Sequence, residues 1–411
     1  MVRFGIEPHE IGGQDRDAGE ADSRLDVLLL SERRIADLAA YCLAYEFEDV
    51  FASLADVQRI DVTDFPALEF SRRAYKLARL MSGSPGLAHK LAPAPRGKVV
   101  VERDFDLFFP VFSHVYQLYS LAAISNWRQR CRRAACFITE VWPDMLPQYL
   151  LELLSGFDHV FIGHSHAVKE VARLTGRPCS YLPLAVDVLR FAPSPGQPRP
   201  IEVCNIGRRS PVTHQALLDD AERRGSFYYY DTVAASGSDK KDRTFRVDNP
   251  AEHRRKLATL LKHSRTFIAN RAYVDRPEFT AGRDEISARF YEGAAAGAVM
   301  IGEAPRTEEF ARQFDWPDAL IHLPFDSPDI GRVLADLNRE PERLRAVSRA
   351  NVRHAAQRHD WLYRILTVLD TLDLPLTGKM HARAQSLELL PHKGGGDAAE
   401  RPLRKLKSER L

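Results

Sequence analysis

The sequence predicts an α/β protein with two Rossmann-like parallel-sheet domains that face each other across a cleft. Apolar segments of strand length alternate with segments of helical periodicity through most of the 411 residues. This alternation favours parallel sheets covered by helices on both faces. A proline-rich stretch at 191–200 interrupts the alternation, which then restarts. The length agrees, because a domain typically contains roughly 100–200 residues.

The first half of the chain carries the first set of alternating elements. Residues 1–23 are polar and acidic, and we expect a disordered leader there rather than a secretory signal. Strands are predicted at 26–31, 57–62, 107–112, 134–138, 159–162 and 179–182. Helices are predicted at 35–51, 71–81, 117–133, 147–155 and 166–175.

The second half repeats the pattern. Strands are predicted at 201–206, 227–230, 266–269, 298–301 and 320–322. Helices are predicted at 213–224, 251–263, 288–296 and 328–338, with a long helical pattern over 340–372. The domains are therefore expected at 24–190 and 201–345, with a hinge linker at 191–200, a crossover helix at 346–373 and a flexible basic tail at 374–411.

Composition excludes several classes of protein. The 58 basic and 56 acidic residues leave a net charge of only +2, so a general nucleic-acid binder is not indicated. No apolar run is long enough to span a membrane. The five cysteines (Cys42, Cys131, Cys136, Cys179 and Cys204) lack CxxC spacing, which favours reduced thiols in a cytoplasmic protein over disulfides or a zinc site.

The segment 282–303 carries the strongest local signal. Asp284 and Ser287 are suitable N-cap residues for a short helix whose N-terminus would face the cleft, where free N–H groups favour an anion such as a diphosphate. Glu292, one turn inside, can accept hydrogen bonds from a vicinal diol such as ribose. Alternatively, Glu285 and Arg289 form a surface pair and Glu292 is solvated.

A basic loop follows the strand 201–206. Gly207 lets the backbone approach a ligand, and the guanidinium groups of Arg208 and Arg209 match phosphate oxygens. Arg271, after the strand 266–269, and Arg289 are further candidates for the same anion. Alternatively, Arg208 and Arg209 are a solvated pair neutralised by nearby acids and bind no anion. Arg271 and Arg289 could likewise each have a structural role instead of binding an anion.

Four stretches resemble the GT-B glycosyltransferases of the "group 1" superfamily, which includes family 4. Asp284 and Glu292 form D-x7-E where that superfamily carries E-x7-E. The stretch 181–193 resembles the interdomain hinge of that superfamily, with Ala185 in place of Gly. Residues 205–211 resemble the loop after the first strand of its second domain. The last helix, with His359, Trp361 and Arg364, resembles the helix that crosses back to the first domain. The resemblance covers about 25–372 and is weaker in the first half.

The resemblance implies a role for each of these residues. Glu292 would hold the nucleotide ribose, Asp284 would lie near the donor sugar or phosphate, and a basic residue of the 207–210 loop, Arg208 or Arg209, would neutralise the leaving diphosphate. It implies neither a metal ion nor a cofactor beyond the nucleotide sugar, which is a substrate.

Polar residues also follow two strands of the first domain. His114 is our candidate for a catalytic or donor-sugar-binding residue, with helix capping as the alternative. Glu140 is the candidate general base and Trp142 a sugar-stacking residue, although a structural role for Glu140 is an open alternative. In Gly163-His-Ser-His166 the two histidines would not share a helical face, so we expect Ser165 to cap a helix and no metal site.

The expected function is transfer of a sugar from a nucleotide-diphosphate sugar to a saccharide, lipid-linked or other hydroxyl acceptor, in polysaccharide or glycoconjugate synthesis. The alternative is a non-catalytic GT-B-like nucleotide-binding partner protein. A dinucleotide-dependent oxidoreductase is disfavoured, because no G-x-G-x-x-G turn follows either first strand. The tail could contact anionic lipid, so the location is expected to be cytoplasmic and peripheral to a membrane through the tail, without nucleic acid as a partner.

Overall fold

The protein contains two parallel β-sheets, each covered by helices, and this confirms the predicted fold class. The computed structural model describes residues 24–33, 38–61, 66–84, 87, 88, 91, 99–142, 151–231 and 247–390. The predicted leader 1–23 and the last part of the tail, 391–411, lie outside the described residues. No helix in the described part is long and apolar enough to cross a membrane.

Seven described strands form the first sheet. They are β1 (Asp26–Ser31), β2 (Asp56–Asp61), β3 (Phe105–Phe108), β4 (Val111–Phe112), β5 (Cys131–Ile138), β6 (His159–Ile162) and β7 (Cys179–Tyr181). Their order is β2-β1-β3-β5-β6-β7, with β4 also paired to β5, and every pair is parallel. β1 is apolar and buried along nearly its whole length, as a parallel strand covered on both faces should be.

The helices of the first domain cover this sheet. They are Cys42–Leu54, Pro66–Ser82, Trp127–Arg130, Val168–Thr175 and Val188–Phe191, with 3-10 turns at Ala39–Tyr41, Val115–Ala123, Glu152–Gly156 and Ser165–Ala167. The predicted helix 117–133 is wrong, because these residues form a 3-10 turn up to Ala123, the short helix Trp127–Arg130 and the start of β5 at Cys131. Arg132 of β5 is exposed and Arg133 is half-buried, so the start of this strand lacks the apolar run that marks its buried part.

The second sheet is smaller and also parallel. Its described strands are β8 (Ile201–Asn205), β9 (Tyr228–Tyr230), β10 (Ser264–Ile268), β11 (Val299–Gly302) and β12 (Ile321–His322), in the order β12-β11-β10-β8-β9. Its helices are Pro211–Arg224, Pro250–Lys262, Ala288–Ala295, Glu308–Gln313 and Ile330–Arg339, with a 3-10 turn at Pro277–Thr280. The carboxyl ends of β8, β9, β10 and β11 meet at one edge, and the loops there form the candidate site.

The chain then crosses back to the first domain, as predicted. The long helical pattern is divided into Pro341–Arg358 and Trp361–Thr371, and the break at Asp360 forms a parallel bridge with Val186. The Val186 N–H donates to the carbonyl of His359 at 3.0 Å. Trp361 packs edge-to-face on Phe47 of the first domain, with the ring centroids 5.2 Å apart. The two connections between the domains therefore run side by side.

The prediction of a flexible tail from residue 374 is wrong for its described part. Residues Gly378–Glu388 form a helix that buries Met380 and Leu387. Arg383 of this helix donates hydrogen bonds to Asp187 and Asp360, at 2.6–2.8 Å. The helix is held mainly by these long-range contacts, because it has few apolar residues of its own.

Candidate active site

The site is built on the loop that follows β8. Ser210 caps the next helix by accepting a hydrogen bond from the Thr213 N–H at 3.1 Å. Gly207 has a φ of +72°, a left-handed conformation that glycine adopts without strain. Its N–H donates to both carboxylate oxygens of Asp231, which follows β9, at 3.0 and 3.1 Å. The loop is thereby fixed against the neighbouring strand end.

Three of the predicted phosphate-binding arginines have carboxylate partners. Arg208 bonds to Asp275 at 3.1 Å, and Arg209 contacts Asp231; all four side chains are partly exposed. Arg271 lies between two carboxylates, 3.2 Å from Asp284 and 3.1 Å from Glu303. The structure thus brings the predicted residues to one edge of the sheet, where carboxylates balance three of the four positive charges.

Arg289 differs from the other three arginines. It lies in the first turn of the helix Ala288–Ala295, and it donates a hydrogen bond to the carbonyl of Ile206 at 3.0 Å. Among the described residues it has no carboxylate within salt-bridge distance. Burial lowers its pKa, although Glu292 opposes that effect. Its guanidinium lies against Gly207, where a Cβ atom would be only 2.6 Å from Nη2. Arg289 is therefore a half-buried cation beside the loop that contains Gly207.

Ser287 and Glu292 lie on the same short helix. Ser287 occupies the N-cap position, but its hydroxyl donates to the carbonyl of Asn270 at 2.6 Å instead of capping. Glu292 is buried rather than solvated, and one of its oxygens accepts a hydrogen bond from Arg254. Arg254 also contacts Glu46 of the first domain. This ionic network had no counterpart in the sequence analysis, because Glu46 and Arg254 are 208 positions apart.

The predicted residues of the first domain meet the second domain through Tyr273. The Tyr273 hydroxyl and the Trp142 indole N–H each donate to Oε1 of Glu140 at 2.7 Å. Arg208 lies over the Tyr273 ring, 4.7 Å from its centroid, so this tyrosine connects the basic loop with Glu140. Trp142 itself is buried, and no face of its ring is open for a sugar.

His114 lies near Glu140 and His164. Burial lowers its pKa; the charge of Glu140 opposes this effect and that of His164 adds to it. The environment of His114 therefore favours its neutral imidazole, whose N–H can donate a hydrogen bond. Its place at the end of β4 is the one predicted.

The structure also assembles a cluster that the sequence analysis dismissed. His164, His166 and Glu285 offer ligand atoms that all lie within 4.8 Å of one another. The objection to the two histidines assumed a helix, but His164 has an extended conformation before the 3-10 turn Ser165–Ala167. Ser165 makes no capping hydrogen bond, since His164 occupies the N-cap position of that turn. Glu285 comes from the second domain, so no local spacing could reveal the cluster.

Two parallel-sheet domains, a C-terminal helix that crosses back and a basic site at the carboxyl edge of the second sheet define the GT-B architecture. Residues 208–370 match the Glyco_trans_1_2 family, described as glycosyl transferase-like. This match confirms the resemblance to GT-B glycosyltransferases and supports glycosyl transfer in general. No curated protein sequence matches the chain significantly.

Solved structures of other proteins have a similar fold. An alpha-glucosyltransferase in complex with UDP and a 13-mer DNA containing an HMU base has a TM-score of 0.50 at 11% identity, over 85% of this chain and 100% of the other. TarM has a TM-score of 0.41 at 8% identity, over 65% of this chain. The chain spans about half of TarM, 54% of its length. At these identities the likeness shows the fold alone.

Proposed function

We propose that the protein transfers a sugar from a nucleotide-diphosphate sugar to an acceptor hydroxyl, in polysaccharide or glycoconjugate synthesis. Arg289 carries the proposal. It is a half-buried cation without a carboxylate partner among the described residues, at the strand edge where GT-B proteins face their cleft. A diphosphate beside Gly207 would supply the missing negative charge. Leaving a charge unpaired where it is partly removed from water is costly, so an anionic ligand gains most at this position.

Arg208 and Arg209 would complete the diphosphate site. Their ion pairs with Asp275 and Asp231 are partly exposed, and such pairs contribute only about 0–1 kcal/mol. A diphosphate can therefore replace the carboxylates at little cost. Arg271, held by two carboxylates, would orient Asp284 near the donor sugar, beside the helix N-terminus at Ser287. We propose that Arg208, Arg209 and Arg289 neutralise the leaving diphosphate once it replaces the carboxylates, so that it needs no metal ion and the reaction no cofactor.

Glu292 would bind the ribose of the nucleotide. Arg254 occupies Oε1 of Glu292, and Oε2 would accept hydrogen bonds from the ribose diol. The charge contacts of Arg254 keep the carboxylate in one position, so the site is preorganised for a diol. This role is the one that the D-x7-E resemblance implies.

Acceptor chemistry would take place at the first domain. With Tyr273 and Trp142 bonded to Oε1 of Glu140, its Oε2 is the oxygen that would take the proton from the acceptor hydroxyl. Neutral His114 would donate to a hydroxyl of the donor sugar. Closure of the cleft would exclude water and favour transfer over hydrolysis. The acceptor is a saccharide, lipid-linked or other hydroxyl compound, and the setting is the cytoplasm, with lipid contact through the basic tail.

Calorimetric titration with nucleoside diphosphates in the presence of a chelator tests the donor site. UDP is the first choice, because structures of similar fold contain it. We expect UDP, GDP or ADP to bind wild type, with affinity reduced about 10-fold or more in Arg289→Met and in Glu292→Gln. Arg345→Met is the matched control, because Arg345 is an exposed arginine of the same domain that pairs with Glu342; its affinity should equal that of wild type.

Two outcomes would contradict the proposal. The first is no binding of any nucleoside diphosphate at millimolar concentration, and the second is equal affinity in wild type and Arg289→Met. Release of the diphosphate from its sugar conjugate in the presence of acceptor then distinguishes transfer from the non-catalytic alternative. A protein that binds the nucleotide but never turns the conjugate over would be a binding partner.

A further inference from the structure

The cluster of His164, His166 and Glu285 lies between the two domains. The histidines follow β6 of the first domain, and Glu285 precedes the helix Ala288–Ala295 of the second. Their candidate ligand atoms lie within 4.8 Å of one another. Two ligands of one zinc ion, each about 2.1 Å from it, are at most about 4.2 Å apart. A small rotation of the side chains would therefore place all three around a single ion.

His164 is oriented as a metal-binding histidine usually is. It is buried, with 5% of its surface exposed, and its Nδ1 lies 3.0 Å from the carbonyl oxygen of Val141. An Nδ1–H that donates to this carbonyl leaves the lone pair of Nε2 for a metal. The Val141 N–H is 3.4 Å from the same nitrogen, a longer contact that would need the other tautomer. Because the contact with the carbonyl oxygen is the shorter one, we assign the proton of His164 to Nδ1.

One ring nitrogen of His166 has no hydrogen-bond partner in the part of the chain that the structure describes. Its Nδ1 contacts Glu285, whereas its Nε2 is buried and has no hydrogen-bond partner among the described residues. A buried polar atom without a partner destabilises the folded state by roughly 1–3 kcal/mol. Such atoms are rare and call for a ligand or a functional reason.

The surroundings of the cluster are apolar on one side. The Trp142 ring packs edge-on against His164, with centroids 4.5 Å apart, and lies 5.5 Å from the ring of His166. Glu285 is only 4% exposed. An apolar shell of this kind limits solvent access and strengthens the attraction between a carboxylate and a cation.

We propose that His164, His166 and Glu285 bind a divalent transition-metal ion of the zinc class. Two imidazoles and one carboxylate suit Zn²⁺, whereas Mg²⁺ and Ca²⁺ prefer oxygen ligands alone. Three protein ligands leave one tetrahedral position for water or a substrate oxygen. Because the ligands come from both domains, the ion joins the domains and stabilises their closed arrangement. The site shares no residue with the arginines at the diphosphate position, and it does not depend on the proposed glycosyl transfer.

The full-length protein, stripped with a chelator, is titrated with Zn²⁺ against a chromogenic competing chelator. We expect one Zn²⁺ per chain with a Kd of about 1 µM or lower. His164→Ala, His166→Ala and Glu285→Gln should each weaken binding about 100-fold or more, since loss of a ligand costs at least as much as loss of a supporting contact. His381→Ala is the control, because His381 is exposed on another helix, and it should bind Zn²⁺ like wild type.

Two further measurements do not depend on how well each variant folds. Co²⁺ added to wild type should give the visible absorption of a low-coordinate nitrogen and oxygen site. Zn²⁺ should raise the Tm of wild type while Mg²⁺ leaves it unchanged. A Kd for Zn²⁺ above about 100 µM, undiminished binding in all three variants, or a Tm rise with Mg²⁺ alone would each overturn the proposal.

Discussion

Glu46 of the first domain and Arg254 of the second form a buried bidentate ion pair. Nε of Arg254 is 2.8 Å from Oε2 of Glu46, and Nη2 is 3.1 Å from Oε1. Burial opposes the charge of Arg254, yet Glu46 and Glu292 together hold its pKa above the usual value. Through Arg254, a residue of one domain positions the proposed ribose-binding carboxylate of the other.

Arg254→Met should strongly destabilise the protein. The substitution leaves Glu292 without its cation and Glu46 with the more distant Arg190, at 3.7 Å, and breaking a buried pair in this way costs about 3–5 kcal/mol. Arg255→Met, at an exposed position of the same helix, should change the free energy of unfolding by less than about 0.5 kcal/mol. Urea unfolding of both variants measures the difference. Equal stability of the two would show that the network contributes nothing.

Gly207→Ala should impair nucleotide binding beyond its effect on stability. Gly207 and Gly225 both have left-handed φ values, +72° and +63°, so alanine at either should cost about 1–2 kcal/mol of stability. A Cβ at Gly207 would meet Nη2 of Arg289, whereas a Cβ at Gly225 would meet nothing within 4 Å. We therefore expect UDP affinity to fall about 10-fold only in Gly207→Ala. Matching affinities in the two variants would refute the role of the Gly207 contact with Arg289.

Glu48 should make stability depend on pH. Burial raises its pKa to about 7 from an ordinary value of 4.5, although Arg33 and Ser31 oppose the shift. Between these values the folded protein retains a proton that the unfolded chain has lost, so stability falls as the pH rises from about 4.5 to 7 and is level above that. The loss is about 3 kcal/mol, at 1.36 kcal/mol per pKa unit.

Glu48→Gln tests this pH dependence. Glutamine at position 48 cannot ionise. The free energy of unfolding of the variant should therefore lack the fall that Glu48 causes in wild type as the pH rises to about 7. Urea unfolding of both proteins at several pH values between 5 and 8 gives the difference. If that difference is the same at every pH, Glu48 does not titrate as described.

Arg383→Met should destabilise the attachment of the last described helix. Arg383 neutralises both Asp187 and Asp360, and Asp360 is completely buried. The expected loss is about 3 kcal/mol, because the buried Asp360 remains without a cation, whereas Asp187 keeps Arg190 at 3.2 Å. Lys379→Met, at an exposed position of the same helix, is the control and should be nearly neutral. Thermal unfolding measures the Tm of both variants, and equal Tm values would contradict the prediction.

The sequence predicted those parts of the fold whose signals are local. β1 and β6 lie at the predicted residues, because a strand buried on both faces is a short apolar run wherever it occurs. The helix Gly378–Glu388 was missed because it is held by Arg383 through contacts 23 and 196 positions away. No pattern within the segment itself carries that information.

The same distinction holds for the candidate site. The loop with Gly207 and Arg208 was found because it follows an apolar strand. The helix with Arg289 was found because an N-cap residue marks its start. The contact between His166 and Glu285 spans 119 positions, and the contact between Arg254 and Glu46 spans 208. Both depend on how the two domains meet. The sequence alone also could not show that Arg208, Arg209 and Arg271 have carboxylate partners.

The bridge between Val186 and Asp360 determines how the molecule can open. Both passages of the chain from one domain to the other are tied together there, so a rotation that parts the sheets has its axis along this pair of segments. Displacement in such a rotation grows with distance from the axis. Glu46 bonds directly to the Asp187 N–H and to Trp361, beside the axis. The buried ion pair between Glu46 and Arg254 is therefore displaced little by an opening that moves the far rim of the cleft several times farther.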